Sequence, residues 1–215
     1  MQPFVDRADA GRRLAPLVAD ALGGATDAPP LVLALPRGGV PVGAEVAAAL
    51  GASLDILLVR KLGVPARPEL AFGAIASGGA RVLNEEIVLA AGLDQATIVT
   101  VMAAEERELQ RRELRYRGDR PPLAIAGRIV VVVDDGMATG ATMRVAVLAL
   151  RQRGAARVIA AAPVGSAEAC TLLAGDADAV ICPLIPSRFK AVGAWYMRFD
   201  AVPDAAVGAI LASGV

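Results

Sequence analysis

The sequence predicts an open α/β fold: a mainly parallel sheet with helices on both faces. Three observations carry that expectation. Short, nearly unbroken apolar runs recur at 31–35, 56–59, 129–133, 158–162 and 179–182, and their length and branched content suit strands covered on both sides. Segments with helical spacing lie between most of them. Glycines stand just past two of these segments, at Gly51 and Gly154, where a helix C-cap calls for them.

Taken in order, residues 1–13 mix polar and apolar side chains and lack the apolar run of a secretion signal. No apolar stretch approaches the length of a bilayer span, so a soluble, cytoplasmic chain is expected. The first strand, 31–35, runs into Pro36-Arg37-Gly38-Gly39-Val40-Pro41, and an Ala-rich helix follows over 40–50. The second strand, 56–59, ends in Arg60-Lys61. The pattern breaks over about 70–122, an insert that opens as a hairpin around Ser77-Gly78-Gly79. A helix then starts at the cap Asn84, and another runs from about 94 to 117. Eleven of the 16 positions in 105–120 are charged. Pairs such as Glu108 with Arg112 and Glu113 with Arg117 sit four apart. That helix reads as a solvated face laced with weak ion pairs or, more sharply, as a lid or dimer arm. After strand 129–133 come helices at 142–153 and 166–173.

Composition narrows the chemistry. At 215 residues and 55% hydrophobic, the chain suits a single domain, 1–215, with a substantial core. Twenty-two basic residues balance 22 acidic ones, which argues against a general nucleic-acid or membrane-surface binder. Histidine is absent, which removes the Ser-His-Asp and Cys-His mechanisms and the HExxH metal sites. Cys170 and Cys182 lie in apolar stretches and read as reduced core residues.

In an open parallel sheet, ligands bind beyond the carboxyl ends of the strands. There the sequence places Asp134 and Asp135, after Ile129-Val-Val-Val-Val133. Two adjacent carboxylates suit a sugar diol, each accepting charge-assisted hydrogen bonds. Gly136, Met137, Ala138, Thr139, Gly140, Ala141 and Thr142 then form a small-residue turn into a helix, offering amides and two hydroxyls to a phosphate monoester. Diol-binding acids followed directly by a phosphate loop describe a 5-phosphorylated ribose. The loop at Arg37, Gly38 and Gly39 permits close backbone approach, and Arg37 adds a fork of donors. Four of the seven aromatic residues, Phe189, Trp195, Tyr196 and Phe199, lie within 11 positions. They read either as rings that stack on a planar acceptor or as a plug at the edge of an Ala/Val core.

The stretch 130–142 resembles the phosphoribosyl pyrophosphate (PRPP) signature of the type I phosphoribosyltransferases: four apolar residues, two acids, and a loop closing in Thr-Gly-x-Thr. The blocks PRGGVPVGAEVA, VRKLGVP, PELAFGA, VDDGMATGATMR and AVGAWY extend the resemblance from about 31 to 199, to a bacterial group of phosphoribosyltransferases whose acceptor is unassigned. The resemblance implies the type I fold and transfer of the 5-phosphoribosyl group from PRPP to a nitrogen acceptor such as a nucleobase. Asp134 and Asp135 would hold the ribose hydroxyls, 136–142 the 5-phosphate, and Arg37, Gly38, Gly39 and Lys61 the pyrophosphate. Residues 62–70 match the place of the family's mobile loop. A C-terminal hood at about 186–200 would hold the acceptor through Phe189, Trp195 and Tyr196. No protein-built metal site is expected; Mg2+ would arrive on PRPP and meet the Asp pair through water. A homodimer is also common in the family. Two other readings stand beside this one: a PRPP-sensing regulator that binds RNA or DNA without catalysis, and a generic mononucleotide-binding α/β protein.

Overall fold

A computed structural model describes residues 3–24, 28–118, 120–121 and 123–213. Pro122, the expected end of the insert, and Asp119, one of the charged positions, lie outside the described residues.

Five strands form a parallel sheet in the order β2-β1-β6-β7-β8: β1 (Leu31–Ala34), β2 (Ser53–Ile56), β6 (Ile129–Val133), β7 (Arg157–Ala161) and β8 (Ala179–Ile181). Strand periodicity divides their side chains between two cores. Val32, Ala34, Val131, Val133, Ile159 and Ala161 face one cluster, which also takes residues of α1 (Arg7–Leu22), α2 (Gly39–Leu50), α4 (Gln95–Arg117) and α7 (Asp204–Ala212). Leu31, Leu33, Val130, Val132, Val158 and Ala160 face the other, with α5 (Ala141–Gln152) and α6 (Ala167–Ala174). Every second residue pointing to an opposite, covered face is the reason these runs are continuously apolar. The expected fold class holds.

The second apolar run is not one strand. β2 ends at Ile56, and Leu57-Leu58 carries the chain out of the sheet into β3 (Val59–Val64). β3, β4 (Arg67–Ala76) and β5 (Ala80–Leu83) form a separate antiparallel sheet. The switch is pinned by Ser77, whose Oγ accepts from the Leu58 amide at 3.0 Å while its own amide donates to the Leu58 carbonyl at 2.9 Å. Because Leu57 is buried in one core and Leu58 in the other, the sequence shows no polar break at the turn. The inserted unit therefore begins near Val59 rather than 70. Residues 62–70, expected as a loop, are the β3–β4 hairpin.

The remaining element boundaries agree with the sequence to within a residue or so. Asn84 caps α3 (Glu85–Ala90) through the Ile87 amide, and Asp94 caps α4 through the Thr97 amide. Two helices escaped the sequence reading, α1 and α7. α1 contains Gly11 and Pro16, which blunt its helical signature. Gly11 is required: a Cβ there would lie 2.7 Å from the Val42 carbonyl, so α1 rests directly on α2. Cys170 and Cys182 are free thiols, half-buried against the second core. Burial and the neighbouring Cys170 push the Cys182 thiol up.

Candidate functional site

The carboxyl ends of β1 and β6 lie side by side, with Ala34 paired to Val133, so the two glycine-containing loops that follow them meet. Their contact is intimate. A Cβ on Gly38 would fall 2.0 Å from Asp135 Oδ2, and one on Gly39 would fall 2.5 Å from the Val133 carbonyl and 2.9 Å from Asp134 Cα. The Pro36–Arg37 peptide is cis. Only hydrogen side chains fit this junction, which is why the sequence reads Gly38-Gly39.

Asp134, Gly136, Met137, Ala138, Thr139, Gly140, Ala141 and Thr142 line one cavity of about 190 Å3. Gly140 makes the turn in the left-handed region at φ 71°. α1, α3, α4 and α6 each have an N-cap side chain on their first amides; of the helices after the two glycine loops, α2 has none, and at α5 the N-cap Gly140 offers none, so that only Thr139 Oγ1 accepts from the Ala141 amide, at 3.4 Å. α7 also lacks such a cap. The first residues of α5, Ala141 to Met143, line the cavity, and a helix N-terminus of this kind is suited to an anion. Thr139, Ala141 and Thr142 also border a larger cleft of about 720 Å3, whose other wall is β3–β5 and includes Lys61.

Lys61 thus reaches the site by a route the sequence did not suggest. It sits within β3, paired with Ala74, not at the carboxyl end of a central strand. Arg37 is half-exposed and lies 3.8 Å from Asp204 on α7.

The acids are desolvated and close together. Burial first, then the charge of Asp135, pushes Asp134 well above the ordinary carboxylate range. Burial raises Asp135 as well, opposed by Arg7. Asp134 Oδ1 accepts from the Asp135 amide at 2.8 Å.

The expected acceptor residues are packed together. Phe189 and Trp195 lie against a small cluster of Phe4, Ala10, Val164 and Tyr196. Tyr196 is 7% exposed, and its hydroxyl donates to the Asp135 carbonyl at 2.5 Å. Val192, in the 3-10 turn Val192–Trp195, closes over Gly136 and lines the small cavity. The segment expected as the hood therefore adjoins the loop of the acids, and its rings pack against Phe4 and Val164.

Arg7 and Val192 were not anticipated. Arg7 is 128 residues from its partner Asp135, and no local pattern announces so distant a contact. The charged helix α4 carries some of the exposed ion pairs expected of a solvated face, while other charges on it bind the body of the fold. Glu108 does pair with Arg112, but Arg117 turns from Glu113 to a buried pair with Asp55 on β2. Glu105 and Glu106 reach Arg60 and Arg81 on the second sheet, and Arg115 reaches Asp204.

A model of the phosphoribosyl transferase domain matches residues 7–196. The chain belongs to that family. Two Mycobacterium tuberculosis proteins, from strains H37Rv and CDC 1551, each named "Putative phosphoribosyl transferase", are 48% identical over 211 residues, 98% of this chain and 47% of theirs. The chain thus spans about half the length of these curated relatives. The crystal structure of TT1426 from Thermus thermophilus is 44% identical, with a TM-score of 0.87 over 100% of this chain and 99% of that one. AQ2163 from Aquifex aeolicus shares the fold at 11% identity, with a TM-score of 0.51 over 87% of this chain and 78% of that one. No helix among the described residues is long and apolar enough to cross a membrane.

Proposed function

We propose that this phosphoribosyltransferase-family chain transfers the 5-phosphoribosyl group of PRPP to a nitrogen acceptor of the nucleobase kind, releasing pyrophosphate. One observation carries the reading: the acid Asp134 and the whole loop 136–142 line a single cavity at the N-terminus of α5. A phosphate monoester seated there places its ribose toward Asp134 and Asp135. Lys61, across the adjoining cleft, and the Arg37-Gly38-Gly39 loop would hold the pyrophosphate.

In the reaction the bond from the anomeric carbon to the pyrophosphate oxygen breaks as the bond to the acceptor nitrogen forms, and the nitrogen's proton leaves to solvent. The transition state is a cation-like sugar between the departing pyrophosphate anion and the incoming nitrogen, so positioning and fixed charge do most of the work. That demand is consistent with a site built without histidine. Desolvated carboxylates beside the ribose favour the developing positive charge, and Lys61 favours the departing negative charge.

The described residues contain no cluster of three or more metal-ligating side chains; the adjacent hard carboxylates of Asp134 and Asp135 would hold a magnesium ion brought in with PRPP, mostly through water. When bound, the ion neutralises charge on the leaving group. The nucleic-acid-binding alternative draws no support from α4, whose Arg111, Arg112, Arg115 and Arg117 are all engaged by acidic partners. A cytoplasmic homodimer, built as one domain, belongs to the same reading.

The test is a melting curve with PRPP and magnesium, with ribose 5-phosphate as control. At about 100 times its dissociation constant, a ligand stabilises the fold by roughly 2.7 kcal/mol. A PRPP-specific rise supports the reading and opens a screen of acceptors for pyrophosphate release. No rise in the folded protein overturns it.

A further inference from the structure

Asp135 is held from outside the signature that contains it. Arg7, the first residue of α1, places Nε 2.8 Å from Asp135 Oδ2, and the two side chains are only 12% and 14% exposed. The same guanidinium donates through Nη1 to the Asp200 carbonyl at 2.7 Å and lies 4.0 Å above the Phe199 ring. Three faces of one cation are thus committed: an edge to the acid, an edge to the hood backbone, and the plane to an aromatic ring. The same Oδ2 also rests against Gly38, where no side chain fits.

The segment carrying Arg7 is itself bound to the hood. The Phe4 amide donates to the Trp195 carbonyl at 2.8 Å, the Met197 amide to Phe4 at 2.7 Å and the Arg198 amide to Val5 at 3.0 Å. Arg198 pairs with Asp6, the residue that caps α1. Residues 4–7 and 195–200 therefore form one unit, and Arg7 and the Tyr196 hydroxyl are its two grips on Asp135.

We propose that Arg7 is a positioning residue for ribose recognition: by occupying Oδ2 it turns Asp135 so that its remaining oxygen, with Asp134, meets the sugar diol, and it ties the order of the hood to that geometry. Arg7 touches no substrate in this scheme. This rests on the diol assignment made above. It adds that the terminal segment and the hood, far from the signature in sequence, set how well ribose is told from a sugar lacking one hydroxyl.

The experiment compares binding of ribose 5-phosphate and 2-deoxyribose 5-phosphate to the whole chain by calorimetry, with inorganic phosphate as the diol-free control. If the wild type binds both sugars equally, the diol assignment itself fails. If it prefers ribose, Arg7→Gln should erase most of that preference, by roughly tenfold, the scale of a charge-assisted hydrogen bond, while phosphate affinity stays unchanged. Arg7→Lys should restore part of it, since the charge returns without the fork. An Arg7→Gln protein that is folded and keeps the full ribose preference overturns the proposal, as does an equal loss for all three ligands. Should Arg7→Gln fail to fold, Phe199→Leu decides: removing the ring beneath the guanidinium should narrow the preference, and an unchanged ratio overturns the coupling to the hood.

Discussion

Gly38 and Asp135 touch so closely that a methyl group on the glycine would overlap the carboxylate, at 2.0 Å from Oδ2. The pyrophosphate-loop candidate and the acid pair are therefore one packed object, not two loops that happen to face the same cleft. Gly38→Ala should displace Asp135 from Arg7 and weaken PRPP binding strongly, while costing the fold about 1–3 kcal/mol for the overpacked contact. Calorimetry with PRPP alongside a denaturant melt checks both. A variant with undiminished affinity would show that Asp135 moves freely without consequence for the donor.

How much of this was legible beforehand follows from what sequence patterns encode. The acids and the loop 136–142 are contiguous, so strand, turn and helix start can all be read locally, and the structure gathers all but Asp135 around one cavity. The Leu57-Leu58 switch was not legible, because apolar periodicity reports burial and both residues are buried, each in a different core. Lys61 lines the cleft beside the loop 136–142, but from the antiparallel sheet rather than from the end of a central strand, a placement that depends on the strand switch. Arg7 was invisible because its partner is set by the packing of α1 on α2, through Gly11, and nothing near position 7 records that. The comparison with TT1426, which covers the whole chain, extends over α1 and α7 as well as the signature.

The acids should lower the stability of the empty protein at neutral pH. Burial raises Asp134 above its ordinary value of 3.8, so the folded state binds that proton more tightly than the unfolded chain does. The resulting stability is present below the ordinary value and is lost as pH climbs through the raised one. Asp134→Asn, which can keep accepting from the Asp135 amide, should melt higher than the wild type at pH 8, and the gain should vanish near pH 3.5. A change of 1 kcal/mol corresponds to about 2–4 °C for a chain of this size. Asp134→Asn together with Asp135→Asn should also abolish PRPP binding, though the loss of the Asp135 charge leaves Arg7 without its partner and offsets the gain in stability. An Asp134→Asn variant that is less stable at every pH, or a folded double variant that binds PRPP as before, would contradict this account.

Arg117 and Asp55 join α4 to the edge strand β2 by a two-pronged pair only 11% and 9% exposed. Nη2 of Arg117 also donates to the Pro121 carbonyl at 2.7 Å. Removing one partner strands a buried charge, so Arg117→Ala should cost about 3–5 kcal/mol, and Asp55→Ala a similar amount. The double variant should recover much of that loss, because neither charge is then left alone. Additive losses in a double-mutant cycle would mean that the two groups are solvated independently.

Trp195 offers the most direct probe of the acceptor. Its indole N–H is buried, with no hydrogen-bond partner among the described residues. It closes the short turn whose first residue, Val192, walls the cavity of the phosphate loop. A buried donor left unpaired costs about 1–3 kcal/mol, and a ligand oxygen or ring nitrogen would relieve that cost on binding. Trp195→Phe removes the donor and keeps an aromatic ring, so loss of packing area and relief of the orphan group should nearly cancel in the melting temperature. With an acceptor in hand from pyrophosphate-release screening, the variant should raise the acceptor KM while leaving PRPP affinity as it was. An unchanged acceptor KM would assign Trp195 to the seal formed with Phe4 and Tyr196, and the acceptor would then have to be sought on the cleft side that carries Lys61.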